Sequence, residues 1–258
     1  SFPTRRSSDL YTGAALLSVT AAVTAGAGMV RYIGPPHPTE LVRAAVPEAV
    51  PGEGRVQAHV IGPGLDTRSR AKGASAQLDA ARAALDSDLP VLVDAGGLEL
   101  VTGVREAPTL LTPHAGECAR LLTRLTGRST ELTRAEVEDD PQRHARRLAD
   151  LTGATVLLKG GVTFVVEPGG PLHVHDDAPA WLATAGAGDV LAGLDRLGQA
   201  HQHHVGAAGG QLEGPAGGHR EAVRGLLHHH LAVLVGDHHV QLGLRAHLGA
   251  HADHVQVL

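Results

Sequence analysis

Thr184-Ala185-Gly186-Ala187-Gly188-Asp189-Val190-Leu191-Ala192-Gly193 leads from small residues straight into a helical pattern. Bare backbone N–H groups therefore face out of a helix N-terminus, where negative charge is stabilised. Glycine at 186 and 188 lets a phosphoryl group approach the backbone with no Cβ in the way. Asp189 follows at once, placed to take the proton of a hydroxyl as it is phosphorylated. The same ten residues read equally well as an ordinary loop with a first-turn acid, because short glycine-rich turns are common. The sequence upstream separates the two readings.

Outward from that turn, strand-like and helix-like signals alternate between residues 11 and 194, the pattern of a sheet covered by helices. The predicted strands are Met29 to Ile33, Ala58 to Ile61, Val91 to Val93, Thr109 to Leu111, Thr155 to Leu158 and Thr163 to Val166. Most are short apolar runs bounded by Gly or Pro, as buried parallel strands are. A helix is predicted from Ala14 to Thr24, stopping at Gly26. A second is predicted over Glu117 to Leu125, and a third opens at Asp140-Pro141 and closes at Gly153 with cap, first-turn proline and terminal glycine in place. Pro168-Gly169-Gly170 joins two strand-like runs as an antiparallel hairpin.

Composition narrows the function classes. A chain of 258 residues is long enough for a well-buried core. A net charge of −5 supplies no field for a nucleic-acid backbone or an anionic membrane, so a small-molecule partner is favoured. The single cysteine, Cys118, excludes an internal disulfide and fits a reducing, cytoplasmic compartment. No apolar run approaches the roughly 20 residues of a membrane span.

Two segments differ from the rest. Residues 1–10, Ser1-Phe2-Pro3-Thr4-Arg5-Arg6-Ser7-Ser8-Asp9-Leu10, are expected to be a non-native leader ahead of the domain at 11–194. Residues 195–258 hold twelve of the eighteen histidines, and no aromatic residue follows Trp181. A histidine-rich metal tract is one reading, but the histidines lack ligand spacing. A disordered or frame-shifted tail is expected there.

Leu182-Ala183 with the ten residues quoted above closely resembles the hallmark of the NAD(P)H-hydrate dehydratases of the ribokinase-like superfamily. Four further blocks fall in that family's order: Tyr11-Thr12-Gly13-Ala14-Ala15 with Ala25-Gly26-Ala27-Gly28; Ile61-Gly62-Pro63-Gly64-Leu65; Leu111-Thr112-Pro113-His114-Ala115-Gly116-Glu117; and Leu158-Lys159-Gly160-Gly161-Val162-Thr163. The resemblance implies a three-layer α/β fold with a mostly parallel central sheet flanked by helices. It also implies repair of a damaged cofactor: a nucleotide phosphorylates the 6-hydroxyl of hydrated NADH or NADPH, and phosphate elimination restores the dihydronicotinamide. Bacterial relatives typically use ADP and eukaryotic ones ATP. Arginine dominates the cations, with only Lys72 and Lys159 as lysines, which points to a GC-rich bacterial source and to ADP. Mg2+ is expected with the nucleotide, no metal site is assigned, and a homo-oligomer is compatible with the resemblance.

Carried over residue by residue, Asp189 is the base and a substrate contact, while Gly186, Ala187 and Gly188 form the anion hole. Ala14, Gly64 and His114 are substrate contacts. Lys159, Gly160, Gly161, Val162 and Thr163, with Gly188, contact the nucleotide. Each also has a plainer reading: a solvated strand-end lysine, a structural loop histidine, a dipole-favoured first-turn acid at Glu117, tight packing at Ala14 and Gly64.

The chain departs from the family before Tyr11, where a glycine-rich strand is usual. It departs again at Asp66 and Gly96, where glycine and aspartate are usual, and after Gly193, where covering helices are usual. Low stability follows from exposed apolar surface around the turn. The competing enzyme reading is a ribokinase-like kinase of a vitamin precursor such as hydroxyethylthiazole; a non-catalytic fragment is the reading from another class.

Overall fold

A computed structural model describes residues 12–69, 73–176, 184–194 and 254–258. Its elements run α1 (Thr12–Thr24), β1 (Met29–Tyr32), α2 (Pro36–Ala45), β2 (Val50–Pro51), β3 (Ala58–Ile61), α3 (Ala74–Leu85), β4 (Val91–Val93), a 3-10 helix (Ala95–Leu100), β5 (Thr109–Leu111), α4 (Ala115–Thr126), α5 (Arg134–Asp139), α6 (Pro141–Thr152), β6 (Thr155–Leu158), β7 (Thr163–Val166), β8 (Leu172–His175) and β9 (His254–Val257). Residues 187–194 are also helical. Tyr11, Trp181, Leu182, Ala183, the first ten residues and residues 195–253 lie outside the described residues.

One sheet orders the strands β2-β1-β9-β3-β4-β5-β6-β7-β8. Neighbours from β2 to β6 are parallel, and β6-β7 and β7-β8 are antiparallel. Both expectations hold: a mostly parallel sheet, and a hairpin at Pro168-Gly169-Gly170. Side chains alternate across the sheet, so β4 sends Leu92 to one face and Val91 and Val93 to the other. Leu92 joins Val60, Leu110, Leu157 and Val255 under Ala15, Val19 and Ala22 of α1 and Val42 of α2. Val91 and Val93 join Ile61, Leu111 and Val156 under Ala81 of α3, Leu121 and Leu122 of α4 and Leu148 of α6. Two apolar layers, one on each face, make the three-layer α/β arrangement.

Local chemistry sets the helix limits. α6 begins at Asp140, whose carboxylate accepts from Arg143 N, and ends at Gly153 in the left-handed region. α4 begins two residues earlier than predicted, because His114 rather than an acid caps it. Helices α2, α3 and α5 carry no element in the sequence reading. Prolines at 35, 36 and 38 mask the start of α2, yet a proline in the first turn costs no hydrogen bond.

The tail differs from expectation at its end. His254–Val257 enters the middle of the sheet, parallel to β1 on one side and β3 on the other. Val255 and Val257 are fully buried. A five-residue alternating run is a weak signal in sequence, and its pairing partners lie some 200 positions away. The fit is imperfect, since Gln256 is buried and its Nε2 has no partner among the described residues. In the register it faces His59, whose buried Nδ1 is also unpartnered there.

Candidate active site

The carboxyl ends of β3 to β6 lie side by side in the sheet, at the edge where ligands of open α/β folds bind. Three of the predicted blocks lie there: Gly62-Pro63-Gly64 after β3, Pro113-His114 after β5, and Lys159-Gly160-Gly161 after β6. The last two are coupled directly, since His114 and Lys159 form a parallel bridge and Lys159 N donates to Pro113 O at 2.8 Å.

The Gly186–Asp189 turn closes the same edge. Gly186 has φ +89°, a conformation that favours glycine, and a Cβ there would stand 2.6 Å from Leu17 Cδ1. Val190 N donates to Gly186 O at 3.1 Å, starting the helix. The helix is seated on α1. A Cβ on Gly193 would come within 2.3 Å of Ser18 O, and the fully buried Ser18 Oγ lies 2.9 Å from Asp189 O and 3.0 Å from Ala14 O. α1 therefore supplies cover for the turn, and Ala14, predicted as a close-approach position, is buried beside it.

Lys159 joins the turn to the strands. Its Nζ lies 2.6 Å from Asp94 Oδ1 and 3.3 Å from the position a Gly188 Cβ would take. Asp94, at the end of β4, is 2% exposed. The sequence pattern marks Gly96 as a departure from the family and assigns Asp94 no role. An acid that closes an apolar strand at the crevice edge was the available signal. Gly96 has its own physical reason, because a Cβ there would meet Leu65 O at 2.0 Å. A side chain at 96 would force this turn away from the Gly62-Pro63-Gly64 turn, where Gly64 has φ +76°.

Burial raises the Asp189 carboxyl above the usual carboxylate range, the charge of Asp94 adds to this, and the Lys159 cation opposes it. A carboxylate whose proton affinity is raised is a better general base near neutral pH. His114 has a structural task. Nδ1 accepts from Gly116 N at 3.0 Å and Glu117 N at 3.4 Å, while Glu117 Oε2 accepts from His114 N at 2.9 Å, closing a capping box. A ring that accepts through Nδ1 carries its proton on Nε2, which faces Glu117 Oε1 at 3.3 Å. Burial lowers the His114 pKa, keeping the ring neutral for this role. Its side chain is still 48% exposed at the crevice edge. The 160–162 turn is exposed, with Val162 at 38% an uncovered apolar side chain next to Lys159.

A family model described as NAD(P)H-hydrate dehydratase matches residues 7–225, from inside the expected leader to beyond residue 195. The bifunctional NAD(P)H-hydrate repair enzyme of Mycobacterium tuberculosis is 48% identical over 200 residues, covering 72% of this chain and 38% of that protein. The ADP-dependent (S)-NAD(P)H-hydrate dehydratase of Neisseria meningitidis is 36% identical over 147 residues, covering 54% of this chain and 46% of that protein. This chain thus spans less than half the length of these curated relatives. Among solved structures, the ADP/ATP-dependent NAD(P)H-hydrate dehydratase of Bacillus subtilis, co-crystallised with ATP and Mg2+, is similar with a TM-score of 0.59 and 29% identity, covering 72% of this chain and 66% of that one.

Proposed function

Because the chain belongs to the NAD(P)H-hydrate dehydratase family, matched over residues 7–225, we propose that it removes water from the S-form of hydrated NADH or NADPH at the expense of ADP. The observation that carries this reading is the convergence of Asp189, Lys159 and the glycine backbone at 186 and 188 at one sheet edge, Ala187 N between them donating to Thr184 O at 3.2 Å.

In this mechanism the nucleotide lies along Lys159, Gly160, Gly161, Val162 and Thr163, with its terminal phosphoryl group against Gly186, Ala187 and Gly188. Backbone N–H groups at a helix N-terminus stabilise charge that grows on the transferring oxygens; one such donor is typically worth about 3 kcal/mol of barrier. Ala14, Gly64 and His114 border the hydrated nicotinamide, and the small residues Ala14 and Gly64 leave room for its puckered ring. Asp189 takes the proton of the 6-hydroxyl as its oxygen bonds to phosphorus and the bond to AMP breaks. Phosphate then leaves C6 and a proton leaves C5, restoring the double bond. The balance is hydrated NADH plus ADP giving NADH, AMP and phosphate.

Mg2+ fits as a companion of the nucleotide. Asp94 is engaged by Lys159 and Glu117 by the cap, and Mg2+ is characteristically held by substrate phosphates, waters and one or two carboxylates. The proposed catalytic core is 11–194, with β9 pairing into its sheet, and the proposed location is the cytoplasm. Among the described residues no helix is long and apolar enough to cross a membrane.

The test offers hydrated NADH with ADP and, separately, a hydroxyethylthiazole with ATP. Return of absorbance at the dihydronicotinamide band with the first pair supports the reading. Phosphorylation of the thiazole alcohol without that return overturns it.

A further inference from the structure

Asp94 occupies the N-cap position of the 3-10 helix yet makes no capping hydrogen bond with its side chain. Its backbone is spent on the fold: Asp94 N donates to Ile61 O at 2.9 Å and Asp94 O accepts from Gly97 N at 2.9 Å. The carboxylate instead reaches past β5 to Lys159, just beyond the end of β6 and two strands away. A carboxylate buried to 2% exposure is costly unless a cation and hydrogen bonds compensate it. That cost makes the residue unsuited to a passive role, since an apolar residue would close β4 more cheaply. A lysine at a strand end normally extends into solvent on its flexible stem. Here the ammonium is drawn inward until it lies 3.3 Å from the Cβ position of Gly188, with Asp94 Oδ2 at 3.9 Å from the same point.

We propose that Asp94 is a positioning residue of this site: its buried carboxylate fixes the Lys159 ammonium against the bare backbone of Gly188, where the cation meets the terminal phosphoryl group of the nucleotide. The proposal rests on the dehydratase reading for the identity of the phosphoryl donor, but the positioning is itself a statement about anion binding. In this role Asp94 acts through Lys159, which stands closer to the Gly188 Cβ position than Asp94 Oδ2 does, at 3.3 against 3.9 Å. Its charge also adds to the raised proton affinity of Asp189, on which Lys159 and Glu117 act as well.

The experiment compares wild type, Asp94→Asn, Lys159→Gln and the double variant in the full chain, by calorimetric binding of ADP with Mg2+ and by turnover of hydrated NADH. Asp94→Asn is expected to weaken ADP binding about 10-fold and lower kcat about 100-fold. The acid limb of its pH profile moves to lower pH, because the negative charge that raised Asp189 is gone. The double variant, which leaves no unpaired half-buried cation, is expected to bind ADP like Lys159→Gln alone. It covers the case in which Asp94→Asn does not fold. A purely structural Asp94 predicts a lower melting temperature with ADP affinity unchanged in the folded protein, and a positioning role is also excluded if Asp94→Asn weakens ADP binding as much in the Lys159→Gln background as in wild type; either result overturns the proposal. If wild type binds ADP but restores no NADH, the dehydratase reading fails, while the ADP-binding cycle still decides the positioning role.

Discussion

The two edges of the parallel sheet use cations in opposite ways. At the amino edge, Arg105 spends its guanidinium on main-chain oxygens that lead into β4 and β5. Nε donates to Leu85 O at 2.6 Å, one terminal nitrogen to Ala107 O and Pro108 O at 3.2 Å each, and the other to Leu89 O at 2.7 Å and to Ser87 O. At the carboxyl edge, Lys159 holds one carboxylate oxygen of Asp94 and otherwise faces glycine backbone. A planar fork with several donors suits fixed carbonyls, and a point charge on a flexible stem suits a phosphate that comes and goes. Saturated donors suit a scaffold; a cation with one partner beside glycine backbone suits the proposed phosphate site.

That contrast predicts which changes damage chemistry and which damage stability. Asp189→Asn is expected to lower turnover by about 10^2 to 10^4 without lowering the melting temperature at pH 7. Its folded pKa is raised, so the ionised carboxylate loses stability as pH rises through that value, and the neutral amide avoids this loss. A variant that melts several degrees lower would erase the distinction between the edges. Arg105→Met should do the reverse. Leaving its carbonyl partners unsatisfied costs about 3 kcal/mol or more, read as a lower denaturation midpoint, while the KM for ADP stays within about 2-fold of wild type under conditions where the variant is folded.

Gly186→Ala sharpens the picture within the carboxyl edge. With φ at +89° and Leu17 Cδ1 at 2.6 Å from the added Cβ, about 1–2 kcal/mol of strain is expected, together with a several-fold rise in KM for ADP. The smallest effect concerns neither edge. His59, buried mid-strand, has its pKa lowered to about 4 by burial and by the Arg105 charge. The unfolded chain protonates near pH 6.5, so the stability this residue confers is present above that value and is lost as pH falls toward 4. His59→Leu should flatten the decline in melting temperature between pH 6.5 and 4.5; an unchanged slope would assign the acid sensitivity elsewhere.

Legibility in the sequence followed signal strength. Strands such as Val91 to Val93 and Thr155 to Leu158 stood out because both faces are buried, and α6 because cap, proline and glycine all coincide. The glycine turn and Lys159 stood out as blocks. Asp94 did not, because its importance lies in a partner 65 positions away and in its burial, neither of which a local pattern carries. His114 was singled out for a ligand contact, and the structure adds a capping role that depends on a side-chain rotamer. The compositional bias of the residues before it obscures β9, so the sequence groups a strand inside the sheet with a tail expected to be disordered.

The most direct measurement is the stoichiometry of the proposed reaction. The purified chain is mixed with hydrated NADH, ADP and Mg2+, and NADH, AMP and phosphate are quantified together over time. Coupling at the Gly186–Asp189 turn predicts equal amounts of all three, with none formed when hydrated NADH is omitted and all three slowed together, by about 10^2- to 10^4-fold, when Asp189 is replaced by Asn. NADH restored without AMP, or AMP and phosphate released without NADH, would contradict it.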